Sequence, residues 1–187
     1  MLHLNLLIMK KVFLATIVAL MSFTASAQVW MGGSIGLDFT KPDFDGAKTV
    51  TTFTLAPEVG YTLDDKWDIA IALNESFISY DGDFANSISV EPYARYTFAK
   101  SGIASFFVDG GFGVGSTEFD SDGTVLSDSE TQFYIGLRPG VKVELSEKVG
   151  IVAKLGFLGY QQVEDSYSSF GFNVNNNSLT FGMYWNF

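Results

Sequence analysis

The sequence predicts an all-β fold: an eight-stranded antiparallel up-and-down transmembrane β-barrel, preceded by a cleavable signal peptide. Three observations carry this expectation. From Gln28 onward apolar residues recur with a period of two, not 3.6. The polar connections between these runs alternate, long then short. One strand segment recurs at equivalent places along the chain.

Residues 1–27 differ from all that follows. Lys10 and Lys11 form a positive start, residues 12–23 are apolar apart from Thr16 and Ser22, and Ala25-Ser26-Ala27 offers small residues at a cleavage site. This is the secretory pattern, with cleavage expected after Ala27. A membrane anchor is the alternative, but the apolar stretch falls short of the ~20 residues needed to span a bilayer. Met9-Lys10-Lys11 resembles a natural start, so residues 1–8 are expected to be a misassigned extension; N-terminal mapping of the precursor decides between Met1 and Met9. The expected organisation is a signal peptide over 1–27 and one barrel domain over 28–187.

Composition narrows the chemistry. The chain of 187 residues is 47% hydrophobic and 16% aromatic, which excludes a disordered acidic protein despite a net charge of −10. An acidic chain repels phosphates, so nucleic acid is excluded as a partner. There is no cysteine, hence no disulfide framework or thiolate metal site. Cleavage after Ala27 removes two lysines and His3, the only histidine, moving the charge to −12. Without His or Cys the commonest acid–base, nucleophilic and metal-ligand chemistry is missing. No catalytic residue, cofactor or metal is expected. Lipid-hydrolysing barrels need a Ser–His pair, so the chain is not expected to be an enzyme.

The strands follow in order. Val29, Met31, Gly33, Ile35, Leu37 and Phe39 share one face of the first. Phe53, Leu55, Pro57, Val59, Tyr61 and Leu63 share a face of the second, and Trp67, Ile69, Ile71 and Leu73 of the third. The fourth carries Ile88, Val90, Pro92, Ala94, Tyr96 and Phe98; the fifth Ala104, Phe106, Val108, Gly110, Phe112 and Val114. The sixth carries Phe133, Ile135, Leu137, Pro139, Val141, Val143 and Leu145. Ile151, Ala153, Leu155 and Phe157 mark the seventh, and Leu179, Phe181, Met183, Trp185 and Phe187 the eighth. Long connections fall near 40–50, 80–87, 119–130 and 163–176, and short ones at 64–66, 100–102 and 146–148. Such asymmetry is expected of an outer-membrane barrel, with short periplasmic turns and long external loops.

The repeat supports the pairing. Leu55–Leu63, Val90–Phe98 and Leu137–Leu145 share a proline six residues before an apolar residue that opens a short turn; Leu179–Phe187 is a fourth copy without proline. It marks every second strand. Proline in a closed sheet forfeits a ladder hydrogen bond. Local bulges that bend the wall are one reading of the three; slower edge aggregation in transit is the other.

The two faces differ in kind. One is bulky and apolar; the other is Gly, Ser, Thr, Ala, Tyr and charged groups. An eight-stranded barrel is just wide enough inside for side chains, so a lumen of Phe, Leu, Ile and Trp would be overfilled. The polar face carries Glu58, Glu91, Arg95, Asp109, Arg138, Lys142, Glu144 and Lys154, whose four acids and four bases can neutralise one another in a lumen. On a lipid face each Arg or Lys would cost ~2–4 kcal/mol at the midplane. Tyr61, Trp67, Tyr96, Phe98, Trp185 and Phe187 gather at the short-turn end, as an interfacial girdle does.

With its signal segment, eight alternating strands, repeated Pro-x-apolar-x-aromatic stretches and terminal Tyr184-Trp185-Asn186-Phe187, the sequence resembles the small outer-membrane β-barrel (porin-like) proteins of Gram-negative bacteria. The resemblance spans 28–187. It implies an outer-membrane protein in contact with outer-membrane lipid. It also implies that Tyr184, Trp185 and Phe187 form the signal read by the barrel-assembly machinery. No peptidoglycan-binding module is expected after the barrel, and the protein is expected to be a monomer.

Two functions fit. The first is a non-catalytic barrel that stabilises the envelope or binds an external ligand through its loops, its lumen charges forming a salt-bridge network. The second is a narrow porin-like channel for small solutes or ions. The external loops are acidic, with Asp43, Asp45, Asp81, Asp83, Asp120, Asp122, Asp128, Glu164 and Asp165 against Lys41 and Lys48. Asp81-Gly-Asp83 and Asp120-Ser-Asp122-Gly123 look like calcium ligands but lack the further spaced acceptors and closing Glu of a full loop. Tyr167, Phe170 and Phe172 are expected to contact a partner or to pack on the rim.

Overall fold

The chain builds its wall from alternating residues because extended backbone sends successive side chains to opposite faces. The computed structural model describes residues 28–40, 48–80, 83–121, 124–125, 130–163, 167–173 and 179–187; the signal segment lies outside them. All regular structure among these residues is β: β1 (Val29–Thr40), β2 (Val50–Thr62), β3 (Trp67–Tyr80), β4 (Asp83–Ser101), β5 (Ala104–Ser121), β6 (Thr124–Val125), β7 (Glu130–Glu144), β8 (Val149–Leu155), β9 (Phe157–Val163), β10 (Tyr167–Asn173) and β11 (Leu179–Asn186). They make eight staves. β8 and β9 both pair with β7 and form one stave; β11 and β10 pair with β8 and β9 and form the next. Two-residue β6 folds back on the end of β5. All pairings are antiparallel. β11 returns to β1, from Trp30 opposite Asn186 to Ile35 opposite Phe181, and so closes an eight-stranded barrel.

Local chemistry sets the tight turns. The Asp64 carboxylate accepts hydrogen bonds from the Lys66 and Trp67 amides at 2.8 and 2.9 Å. Ser146 Oγ accepts from the Lys148 and Val149 amides at 3.3 and 3.1 Å. Such side-chain caps hold a chain in a turn. Gly102, at φ 59°, supplies the left-handed residue of the third.

Burial is inverted relative to a water-soluble barrel. The outward residues Ile69, Ile71, Phe112 and Leu137 are 44–47% exposed, whereas Glu58, Arg95 and Asp109 are each 3% exposed. The apolar belt faces away from the molecule and the charges lie within it.

Four expectations need correction. The connections near 80–87, 119–130 and 163–176 are largely strand: β3 and β4 stay paired to Tyr80 opposite Asp83, β5 runs to Ser121, and β9 and β10 form a hairpin with Val163 opposite Tyr167. A ladder leaving the apolar belt keeps its hydrogen bonds in water, so polar composition does not end it. Second, Phe157 faces the lumen. Gly156, at φ 70°, interrupts the stave between β8 and β9 and shifts the register against β7 by one residue. One extra residue reverses every side chain beyond it. Third, Pro57 and Pro92 do not sit at bulges. The ladder is interrupted beside them, between Leu55–Glu75 and Glu58–Ala72 and between Val90–Val114 and Tyr93–Gly111, without a change of register. Only Pro139 lies opposite a bulge, the one at Gly156. Fourth, the outward wall carries a charge. Glu75 follows Leu73 on the lipid-side face of β3, with Leu55 and Ile88 across from it.

Candidate functional site

Lumen side chains come from every stave, so contacts form between residues far apart in sequence. At mid-barrel they make a plug. Glu58 on β2 accepts hydrogen bonds from Tyr93 on β4, from Tyr184 on β11 at 2.9 Å and from Lys154 Nζ on β8 at 2.9 Å. Arg95 lies directly across from Asp109 and clamps it with one guanidinium edge, Nε to Oδ1 at 2.7 Å and Nη2 to Oδ2 at 2.9 Å. Two parallel N–H···O bonds of this kind combine strength with fixed geometry. Lys154 bridges the two groups, its Nζ 3.5 Å from Asp109 Oδ2. The guanidinium carbon sits 3.9 Å from the centroid of the Phe107 ring, and Trp30 packs edge-on against Tyr184 at 4.7 Å. Phe107 and Val152 are each 1% exposed.

A second pair lies above the first, toward the end where the long connections are. Arg138 on β7 bonds Glu91 on β4. Glu91 also accepts from Tyr134 Oη at 2.8 Å and from Asn74 Nδ2 at 3.4 Å. The three carboxylates Glu58, Glu91 and Asp109 thus face the three cations Arg95, Arg138 and Lys154, and the plug is formally neutral. Lys142 and Glu144 stand apart from it. They pair with each other at 3.3 Å near the short-turn rim, where Glu144 is more than half exposed.

The aromatic members fit because glycines lie across from them. Trp30 is registered with Gly60, Tyr184 with Gly32, Phe107 with Gly140, and Tyr134 with Gly113. At each of these glycines a Cβ would overlap the facing ring. In a lumen this narrow, a ring lies flat over the neighbouring strand instead of crossing the bore.

Two cavities flank the plug. The one on the short-turn side holds about 440 Å³ and is charged, lined among others by Asp68, Lys100, Lys142 and Glu144. The one on the opposite side holds about 470 Å³ and is lined mainly by uncharged polar groups, with Arg138 at its floor.

Sequence alone did not single out Tyr93 or Tyr134, whose hydroxyls satisfy Glu58 and Glu91. These contacts join residues 35 and 43 apart, a separation that carries no local signal. Tyr184, grouped with Trp185 and Phe187 as an assembly signal, is 3% exposed within the plug, whereas Trp185 faces outward at 47%. Asp43, Asp45, Asp81, Asp122, Asp128, Glu164 and Asp165, and with them the calcium-like pattern, lie outside the described residues. Among the described residues no group of three acids or histidines is placed to hold a metal. Phe170 and Phe172 point outward from β10 at 78% and 66% exposure.

The model of the outer membrane protein beta-barrel domain matches residues 12–187. The chain belongs to that family. Its place is the outer membrane. Among curated proteins no significant match is found. Solved structures share the fold. The N-terminal β-barrel domain of Pseudomonas aeruginosa OprF is 16% identical, with a TM-score of 0.53 over 86% of this chain and 98% of its own. Neisserial surface protein A is 15% identical, with a TM-score of 0.54 over 87% of this chain and 98% of its own.

Proposed function

We propose that this outer-membrane protein is a closed, non-catalytic barrel with a structural role in the envelope and a binding surface at its external end. The plug is the observation that carries this reading. Its six charged groups are paired, ring-packed and bonded across at least four staves, so ion passage would require breaking buried salt bridges. Removing one partner of such a pair costs about 3–5 kcal/mol, which sets a high barrier for a transient opening. A catalytic reading lacks the Ser–His and Cys–His pairs of the commonest hydrolases, because the chain holds no Cys and its only His is His3.

Planar-bilayer recording tests it. The wild-type barrel is expected to give no stepwise conductance, whereas Arg95→Ala opens small steps by leaving a gap in the plug. Discrete wild-type steps that change in size with Arg95→Ala or Arg138→Ala would establish the narrow channel instead.

A further inference from the structure

Above the plug, the cavity of about 470 Å³ shares Asn74, Tyr134 and Arg138 with it and adds side chains that the sealing of the lumen does not use. Thr54, Ser76, Gln132 and Gln161 line it with hydroxyls and amides. Several are held in place: Thr54 Oγ1 meets Ser76 Oγ at 3.1 Å, and Gln132 Nε2 donates to Ser87 Oγ at 2.6 Å. Tyr134 and Phe157 add two rings set nearly perpendicular, 86° apart with centroids 6.3 Å from each other. The floor offers no spare charge, because Arg138 is matched by Glu91. On the β10 side the wall is bare among the described residues: a Cβ at Gly171 would meet none of their atoms within 4 Å.

We infer that this vestibule binds a neutral polyhydroxylated ligand, a saccharide of one or two units. Hydroxyl and amide side chains both donate and accept, which matches a ligand surface of alternating hydroxyls. Tyr134 and Phe157, with the Arg138 guanidinium already over both rings at 5.4 and 5.2 Å, offer their remaining apolar surface to the C–H face of a pyranose. A charged ligand would leave water without a counter-charge, since both floor charges are already paired. The inference rests on the reading of the external end as a binding surface. It does not depend on conductance, so the bilayer recording and the binding experiment fail independently.

Calorimetric titration of the refolded full-length barrel tests the assignment, in a phosphocholine detergent whose headgroup carries no sugar. The probes are glucose, maltose, maltotetraose and, as the charged comparator, glucuronate. The wild type is expected to bind maltose saturably, at about 1 mM or tighter. Gln132→Ala should weaken binding up to about tenfold, the loss of one hydrogen bond. Gly171→Trp should abolish it by filling the open side. Both variants must keep the fast gel migration of unboiled barrel, which separates lost binding from lost fold. Tighter binding of maltotetraose than of maltose assigns the site to the end of a surface glycan; equal or weaker binding assigns it to a free sugar. Absence of saturable binding by every neutral probe overturns the proposal. So does preference for glucuronate, or undiminished binding in Gly171→Trp.

Discussion

Arg95 concentrates the energetics of the lumen in one side chain. It satisfies Asp109 bidentately, donates to Tyr184 Oη at 3.3 Å and lies over the Phe107 ring. Arg95→Ala should destabilise the folded barrel by about 3–5 kcal/mol, chiefly because Asp109 loses its bidentate partner and is left buried with Lys154 alone, 3.5 Å away. Arg95→Ala combined with Asp109→Ala should cost less than the two single changes added together, since neither buried charge then remains. Urea unfolding in vesicles, followed by tryptophan emission, reads both. Additive costs would mean that the pair is independent and the clamp is not what holds the plug. The sequence marked Arg95, Asp109, Glu58, Glu91, Arg138 and Lys154 as inward by parity alone, and their depth followed from mid-strand position. Which acid meets which base was beyond it, because Lys154 and Glu58 are 96 residues apart. Parity also misassigned Phe157, since a bulge at a single glycine leaves no trace in a period-two pattern that is apolar on both sides of it.

At the level of strands, the matching of rings to glycines decides how the lumen packs. Gly60 lies under Trp30 and Gly32 under Tyr184, so each seam of β1 is covered by one ring, Tyr184 leaning from β11 onto β1 and Trp30 from β1 onto β2. Gly60→Ala places a methyl group where the Trp30 ring lies. Overpacking of this kind costs about 1–3 kcal/mol. Gly60→Ala with Trp30→Leu should recover part of that loss, because the smaller side chain vacates the space; denaturant unfolding of the single and double variants measures the difference. No recovery would show that Gly60 is needed for its backbone and not for the ring above it. Glycine on the inward face was visible in the sequence, but its pairing with an aromatic needs the register, and the register is fixed by long ladders such as β4 with β5. The prolines show the same limit. Their repeat correctly marked strands that run in one direction. Their structural effect, a ladder gap without a bulge at Pro57 and Pro92, depends on the partner strand and is not written in the proline's own neighbourhood.

For the whole molecule, the outward wall is a ruler for the bilayer. Strands rise about 3.4 Å per residue and tilt about 40°, so each residue climbs ~2.6 Å along the membrane normal. Trp67 stands in the aromatic girdle at the periplasmic end of β3, its ring tilted 40° against Tyr96 with centroids 4.8 Å apart. Four residues on, Ile71 is ~10 Å higher, near the middle of an apolar band ~25 Å tall. Glu75 is ~21 Å above Trp67, close to the external interface, which accounts for an acid on this face. A cation placed at the two positions should therefore report depth. Ile71→Lys is expected to cost ~2–4 kcal/mol of folding free energy in vesicles, and Glu75→Lys ~0–1 kcal/mol. Both side chains share one strand and one face, so strand propensity and lumen packing are common to the pair and only depth separates them. Equal costs would place Glu75 as deep as Ile71 and would require a partner for it within the bilayer. A steep difference fixes the barrel's height in the membrane and sets the vestibule above the plug within reach of the external medium.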